Sequence, residues 1–317
     1  MIVGQHTRRW GWVRMVLRWQ GTTLPNTWGR ILITTLFAVG VTIFWKEWEL
    51  SQWSLSPLPF SLIGVALGIF LGFRNNTSYD RFWEGRKLWG RVVNLSRIWT
   101  RQTFTLLAAA PDSERLDQAE LHALQREMVK RQIAYVHALR IHLRGGNDYA
   151  ELDAFIDERE RKRIQPESNT PAALLHHTGE LLTEAWQRGW ILQYHLPVME
   201  RTLSELTEVQ GGCERIKATP IPFGYTVLMH RIVALYCITL PFGIEDTVGV
   251  LTPAVVALVS FAFYGLDSIG DEIEEPFGFD PNDLPLNALS KMIEINLTER
   301  LDDEPPEPHA PKGEILD

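Results

Sequence analysis

The sequence predicts an all-α membrane protein with four transmembrane helices and a cytosolic helical bundle. Three observations carry this prediction: hydrophobic blocks lie near both ends of the 317-residue chain, a polar region separates them, and the chain contains 12 Trp. Tryptophan collects at membrane interfaces, where its ring is apolar and its N–H stays hydrated. The whole chain has 22% charged residues and a mean hydropathy of -0.09, which are values typical of a soluble protein. They arise because the average combines the hydrophobic blocks with the polar region.

Four hydrophobic blocks have about the 17–20 residues that a membrane-crossing helix needs. The predicted transmembrane helices are residues 28–45, 58–73, 223–244 and 248–266. Each block is borderline in length, so four buried helices of a large soluble protein are the alternative interpretation.

The placement of basic residues favours the membrane interpretation. Four arginines precede the first block and Arg30 lies at its start. Only Lys46 lies between the first two blocks, seven Lys or Arg follow the second block within residues 74–101, and none separates the last two blocks. Under the positive-inside rule, one orientation satisfies every loop. Both termini and the long middle region are therefore predicted to lie in the cytoplasm.

The polar parts of the chain are predicted to form cytosolic helices. They comprise residues 74–220 and 267–300, which together with the membrane helices make one predicted domain over residues 1–300. Residues 301–317 are rich in Pro and acidic residues, a composition that predicts a disordered tail.

Helical spacing of apolar residues marks three helices in the middle region. They are predicted at residues 119–143, 172–193, and from beyond Pro197 to about Gln210. The pair Gly211 and Gly212 is predicted to end the third helix. The charged segment of residues 153–168 is predicted to be a mobile connection.

The composition and motifs argue against nucleic-acid binding and against catalysis. A net charge of -8 gives no general attraction to nucleic acid. The pair His176 and His177 lacks the H-E-x-x-H arrangement of a zinc protease, and Cys213 and Cys237 have no metal-ligand spacing. No Walker loop, G-x-G-x-x-G loop or nucleophile elbow is present. We predict that the protein is not an enzyme, and we interpret His230 and Arg231, inside the third block, as subunit contacts.

The second block contains a stripe of glycines at helical spacing. Gly64, Gly68 and Gly72 recur every four residues and therefore share one helix face. Small-residue stripes let helices approach closely in lipid, so these glycines are predicted to be helix-packing positions.

One residue further along, Val65, Ile69 and Phe73 form a parallel apolar stripe, with about 6 Å between successive positions. Around a symmetric pore, each position would become a ring of apolar side chains, and a stack of such rings gates by excluding water. From periodicity alone, core packing is the favoured interpretation of these three residues.

Three motifs resemble the bestrophin family, especially its bacterial members. They read F-R-N-N-T-S-Y-D-R-F-W-E-G-R-K-L-W-G from Phe73, I-K-A-T-P-I-P-F-G-Y at residues 216–225, and D-E-I-E-E-P-F-G-F-D-P-N-D-L-P-L-N at residues 271–287. The W-Q-G-T at residues 19–22 is a weaker match. The motifs occur in the family's order and cover most of the chain up to about residue 300.

The resemblance implies a homo-pentameric ion channel in a lipid bilayer, here the bacterial inner membrane, with small ions passing along one central pore. The family's apolar transmembrane neck falls on Val65, Ile69 and Phe73. A second constriction lies at the cytosolic exit, for which the candidates are Ile191, Leu192 and Tyr194.

Eukaryotic members are calcium-activated anion channels, and their calcium clasp follows the fourth helix. The residues of this chain that would bind calcium or another divalent ion are Glu272, Glu275, Asp280 and Asp283. Calcium takes about six to eight oxygen ligands and favours several carboxylates. The acidic segment after the fourth helix holds fewer acids than its eukaryotic counterpart. We therefore interpret it as a solvated loop with helix-capping acids, and we expect that the protein requires no cofactor.

The resemblance leaves the permeating ion open. Bacterial members are associated with cations such as sodium and eukaryotic members with chloride. Acidic residues that leave the fourth block, from Asp267 to Glu275, favour cations, whereas Arg74, directly after the neck, opposes them. We predict permeation by monovalent cations; a chloride channel and a non-conducting membrane scaffold are the alternatives.

Overall fold

The computed structural model describes residues 15–16, 18–19, 21–48, 56–108, 118–311 and 316–317. These residues are nearly all helical and contain no β-strand, which confirms the predicted all-α class. The helices are α1 (Leu24–Glu47), α2 (Pro57–Leu106), α3 (Gln118–Leu143), α4 (Glu158–Ile164), α5 (Thr170–Gln187), α6 (Leu196–Ala218), α7 (Phe223–Val248), α8 (Thr252–Glu274) and α9 (Leu286–Thr298).

The chain divides into two compact units. The first, which we call the membrane unit, contains the described residues up to Trp83 together with Thr219–Pro276. The second, the helical unit, contains the described residues of Glu84–Ala218 and Phe277–Asp317. Helix α2 begins in the membrane unit and ends in the helical unit.

Helices α1, α7, α8 and the first half of α2 share one apolar core in the membrane unit. Its buried members are Ala38, Leu67, Leu71, Val233, Tyr236, Cys237, Leu240, Val256 and Tyr264. Polar side chains within these helices pair with each other: the Thr34 hydroxyl donates to the Ser260 hydroxyl at 3.1 Å, and the Thr42 hydroxyl donates to the Glu245 carboxylate at 2.9 Å. These two pairs each satisfy a buried polar side chain, as an apolar surrounding requires.

Three helical stretches are long and apolar enough to cross a membrane: Leu24–Glu47, Pro57–Leu106 and Phe223–Glu274. The last stretch contains both α7 and α8, joined at Gly249, whose φ of 58° is a backbone conformation that glycine adopts without strain. The second stretch extends well past the predicted span of residues 58–73 without a break in the helix. The helix continues for a further 32 residues beyond Arg74, whose charge is paired inside the membrane unit.

The helical unit is built around α3, which packs against α5, α6 and α9. Residues near the end of α2 also join its core: Trp99 is fully buried and donates its indole N–H to the Met128 carbonyl at 3.4 Å. The Gln132 amide donates to the Ser96 hydroxyl at 2.9 Å.

Two expectations for the helical unit are wrong. Gly211 and Gly212 do not end α6, which runs on to Ala218; a Cβ on Gly212 would lie 3.0 Å from the Leu88 side chain, so this glycine permits a close approach. The segment of residues 153–168 is not simply a connection, because it holds α4, whose first turn is capped by the Asp157 carboxylate at 2.7 Å from the Glu160 amide nitrogen.

The predicted tail makes specific contacts although Asp302–Pro311 has no regular secondary structure. The Arg126 guanidinium donates to both carboxylate oxygens of Asp303, at 2.7 and 2.9 Å. At the other end of the tail, the Asp317 carboxylate accepts a hydrogen bond from the Asn287 amide at 2.7 Å. These contacts favour an ordered tail, and disorder of the tail stays a prediction.

Candidate functional site

The predicted neck residues lie on an exposed face of α2. The side chains of Val65, Ile69 and Phe73 are 64%, 54% and 63% exposed. Leu67 and Leu71 lie on the opposite face, at 2% and 0% exposure, within the core of the membrane unit. The three apolar residues therefore form a continuous surface stripe, which we call the neck stripe, rather than part of the protomer's core.

The glycine stripe divides into one packed position and two open ones. A Cβ on Gly64 would lie 2.6 Å from the Tyr236 hydroxyl, so α7 approaches α2 closely at this point. Beyond the backbone of α2 itself, no described atom lies within 4 Å of a Cβ on Gly68 or Gly72. Packing at Gly68 and Gly72 stays a prediction, which would involve a neighbouring subunit.

Arg74 follows the neck stripe directly but lies on the buried face of α2. Its side chain is fully buried, and it donates to the Asp267 carboxylate at 2.9 Å and to the Asp271 carboxylate. The Glu274 carboxylate lies 3.9 Å from the same guanidinium. The guanidinium is therefore neutralised by acids of α8, which corrects the expectation that Arg74 acts as a free positive charge below the neck.

His230 of α7 completes this group of charged residues. Its Nδ1 lies 2.6 Å from the Asp267 carboxylate, and its Nε2 lies 3.6 Å from that of Asp271. Both ring nitrogens of His230 therefore face acids of the same protomer, while a contact of this half-exposed ring with a neighbouring subunit stays a prediction. We refer to Arg74, His230, Asp267, Asp271 and Glu274 as the arginine network.

The geometry of His230, Asp267 and Asp271 has the outline of a metal site, because one ligand atom of each lies within 4.8 Å of the others. However, Arg74 donates to both carboxylates. A divalent cation would have to share these carboxylates with a buried guanidinium, and like charges at such distances repel strongly. The cluster therefore fits an ion-pair network better than a metal centre.

Two further contacts bring α2 and α8 together at the network. The Asn75 amide donates to the Leu266 carbonyl at 3.0 Å. A Cβ on Gly270 would collide with the Asn75 side-chain oxygen, so only glycine leaves room for α2 at this position. Sequence reasoning missed the network, although Asp267, Asp271 and Glu274 recur at i, i+4 and i+7 and hence share one helix face.

Of the three candidates for the cytosolic constriction, two are exposed. Leu192 and Tyr194 are 42% and 86% exposed, whereas Ile191 is 3% exposed and its backbone bridges to that of Leu107. Within the protomer, Ile191 belongs to the core of the helical unit. Leu192 and Tyr194 stay predicted as positions of the constriction.

Most of the residues predicted to bind a divalent ion, which are Glu272, Glu275, Asp280 and Asp283, make other contacts. In the helical unit, the Asp280 amide nitrogen donates to the Asp283 carboxylate at 2.8 Å, so this acid stabilises its own turn, and Asp283 is 2% exposed. In the membrane unit, Glu272 interacts with another group and Glu275 is exposed where α8 ends. This arrangement fits turn-capping acids better than the oxygen cage that calcium needs; whether a divalent ion binds stays untested.

The fold and site together define a class: a helical membrane protein in which one long helix presents an apolar stripe on the face opposite its buried core contacts. A family model described as bacterial/fungal bestrophin protein matches residues 1–299. The chain belongs to the bestrophin family, which confirms the resemblance seen in the sequence motifs.

Relatives and solved structures agree with this assignment. The chain is 40% identical over 297 residues to the voltage-dependent anion channel-forming protein RSc3414 of Ralstonia nicotianae, covering 93% of this chain and 92% of the relative. It is 38% identical over 296 residues to the voltage-dependent anion channel-forming protein YneE of Escherichia coli K12, with 92% of each covered. The crystal structure of a bacterial bestrophin homologue from Klebsiella pneumoniae superposes with a TM-score of 0.80 at 35% identity, covering 87% of this chain and 98% of that one.

Proposed function

We propose that this chain is one subunit of a pentameric ion channel whose transmembrane neck is lined by Val65, Ile69 and Phe73. The observation that carries the proposal is the exposure of these three side chains on the face of α2 opposite Leu67 and Leu71. Membership of the bestrophin family, and the channel-forming names of the relatives, support the same function.

The neck follows from the spacing of the stripe. Four residues advance a helix by about 6 Å, so five copies of α2 around an axis would place three apolar rings at that interval. Water leaves a narrow apolar constriction readily, and an ion cannot cross it without its hydration shell. The stripe therefore suits a gate that conducts when it widens and wets.

The topology that we propose has four spans with both termini in the cytoplasm of a bacterial cell, in the inner membrane. Helices α7 and α8 contain 26 and 23 residues, which correspond to about 39 and 35 Å of helix. Each therefore suffices by itself for the about 30 Å of hydrocarbon in a bilayer. The distribution of basic residues supports the orientation.

We further propose that the channel passes monovalent cations. The buried, paired state of Arg74 supports this choice, because it removes a positive charge from the surface next to the neck. An anion channel is the second candidate, since the relatives are named for anion channel formation. Reversal potentials of purified protein in a planar bilayer under a NaCl gradient separate the two: a value near the sodium equilibrium supports cations, and one near the chloride equilibrium excludes them.

The neck itself is tested by replacing Val65, Ile69 and Phe73 together with Ala. In a channel the current increases, because the barrier to wetting falls; a non-conducting scaffold shows no current in either form. A matched control replaces three exposed apolar residues of α1, Leu32, Leu36 and Ile43, with Ala. Equal currents from the control and the neck variant would contradict the assigned neck, and native mass spectrometry tests the pentamer separately.

A further inference from the structure

The neck stripe continues past Phe73 into polar residues. At about 100° per residue, Val65, Ile69 and Phe73 span a sector of about 80° on α2, and Asn76 and Asp80 fall inside the same sector. Asp80 lies about 10 Å beyond Phe73 along the helix axis. Both polar residues are exposed, as the apolar positions of the stripe are.

Asp80 is free to act on a passing ion. Among the described residues, none forms a hydrogen bond or an ion pair with its carboxylate. The adjacent Arg81 is held elsewhere: it donates to the carbonyl oxygens of Glu274, at 3.0 Å, and Thr219, at 2.5 Å. Arg74, one and a half turns earlier, is buried on the opposite side of α2.

The other acids of the membrane unit near this level are already engaged. Asp267 and Asp271 bind Arg74 and His230. The Glu274 carboxylate accepts from the Ile221 amide at 2.9 Å and lies 3.9 Å from Arg74. The sequence predicts that the acidic residues at the end of the fourth block attract cations. Most of them instead form ion pairs or hydrogen bonds within the protomer.

Basic residues also occur further along the stripe, in the part of α2 that belongs to the helical unit. Arg91 lies 3.9 Å from the Glu205 carboxylate, and Lys87 interacts with other groups. Between Val65 and Trp83, Asp80 is the one charged residue in the sector of the stripe.

We propose that Asp80 determines the charge selectivity of the pore. In the pentamer of the proposed function, on which this inference rests, five Asp80 carboxylates form a ring on the cytosolic side of the neck, with the Asn76 amides between that ring and Phe73. A ring of carboxylates concentrates cations and repels anions in a narrow pore. The apolar neck then supplies the gate, and Asp80 supplies the preference for cations.

The test compares the relative permeability of sodium and chloride in bilayers for the wild-type protein, Asp80→Asn, Asp80→Lys and Asp80→Glu. We expect the sodium preference to fall roughly tenfold in Asp80→Asn, the lower end of the enrichment that a focused charge produces. It reverses in Asp80→Lys and persists in Asp80→Glu, which retains the charge. Glu47→Gln removes one exposed carboxylate at the end of α1 and leaves the preference unchanged.

The outcomes separate this inference from the proposed function. Absence of current from an assembled wild-type pentamer overturns the proposed channel and with it the selectivity ring. Wild-type current whose ion preference is the same in Asp80→Asn and Asp80→Lys overturns the role of Asp80 and leaves the channel intact. Native mass spectrometry of each variant confirms that the compared proteins are assembled.

Discussion

Phe73 and Arg74 are consecutive residues of α2 with opposite environments: the Phe73 side chain is 63% exposed and Arg74 is 1% exposed. One residue turns a helix by about 100°, so the two side chains leave the helix in different directions. The ion pairs of Arg74 with Asp267 and Asp271 fix the rotation of α2 against α8. The same rotation presents the neck stripe on the exposed face.

Arg74→Gln should therefore destabilise the membrane unit strongly. Removing one partner of a buried ion pair leaves uncompensated charges, here on Asp267 and Asp271, and such changes cost about 3–5 kcal/mol. We expect a clearly lower unfolding temperature in detergent, followed by tryptophan fluorescence. Lys46→Gln removes an exposed lysine at the end of α1 and should change the stability by about 0.5 kcal/mol or less. Similar unfolding temperatures for the two variants would show that the arginine network does not hold α2.

Gly64→Ala should destabilise the contact between α2 and α7. The new Cβ would lie 2.6 Å from the Tyr236 hydroxyl, and the Tyr236 ring is buried and packs edge-on against Phe263 at 5.2 Å. Overpacking of this kind costs about 1–3 kcal/mol. In Gly29→Ala the Cβ meets open space within the protomer, so that variant should be neutral or slightly stabilising. A neutral Gly64→Ala would mean that Tyr236 moves aside at little cost.

Cys213 should resist alkylation in the folded protein. Burial raises the pKa of its thiol to about 12, with smaller contributions from Glu214 and Glu84. Since the thiolate is the reactive form, iodoacetamide at about pH 8 should leave Cys213 unmodified until the protein unfolds. An exposed control thiol on the same helix, Ser204→Cys, should react within minutes. Peptide mass spectrometry distinguishes the two sites, and rapid labelling of Cys213 would contradict its buried position.

Glu294 should make the stability of the helical unit depend on pH. Burial raises the pKa of its carboxyl, but hydrogen bonds from His137, at 3.0 Å, and Lys291, at 2.9 Å, outweigh burial and lower it below its usual range. A lowered pKa stabilises the folded state above the ordinary carboxyl range, and this stabilisation is lost as the pH falls through the lowered value.

Glu294→Gln should accordingly lose about 1.5–3 kcal/mol near neutral pH, the usual range for hydrogen bonds to a charged group. The difference from the wild-type protein should shrink as the pH falls below the ordinary carboxyl range. Unfolding temperatures measured across this pH range provide the check. Glu158→Gln, which alters an exposed pair with Lys162, should show a small difference throughout. A deficit of Glu294→Gln that stays constant with pH would contradict the assignment.

Local patterns in the sequence predicted α3 to within one residue at its start, because apolar periodicity is strong there and Gly145, with a φ of 70°, follows its end. The ends of α2 and α6 were not predictable in this way. At Arg74, α2 continues while its charge pairs with acids of α8, and at Gly212, α6 continues where Leu88 approaches closely. Both partners are distant in the chain, so no local pattern reveals them.

The candidate site was partly predictable. The spacing of Val65, Ile69 and Phe73 placed them on one face of a helix, but periodicity did not distinguish an exposed stripe from a packed one. The arginine network was missed because Arg74 and Asp267 are 193 residues apart, and their pairing is a property of two packed helices.

The sequence by itself determined that the chain is a helical membrane protein of the bestrophin family, because hydrophobic blocks, the placement of basic residues and family motifs are all local properties. Only the tertiary structure decided which face of α2 is buried and which charges are neutralised, because both depend on how α2 is rotated against α7 and α8. That rotation buries Arg74, exposes the stripe from Val65 to Phe73, and leaves Asp80 as the charged residue that follows the stripe on the same face of α2 in the membrane unit.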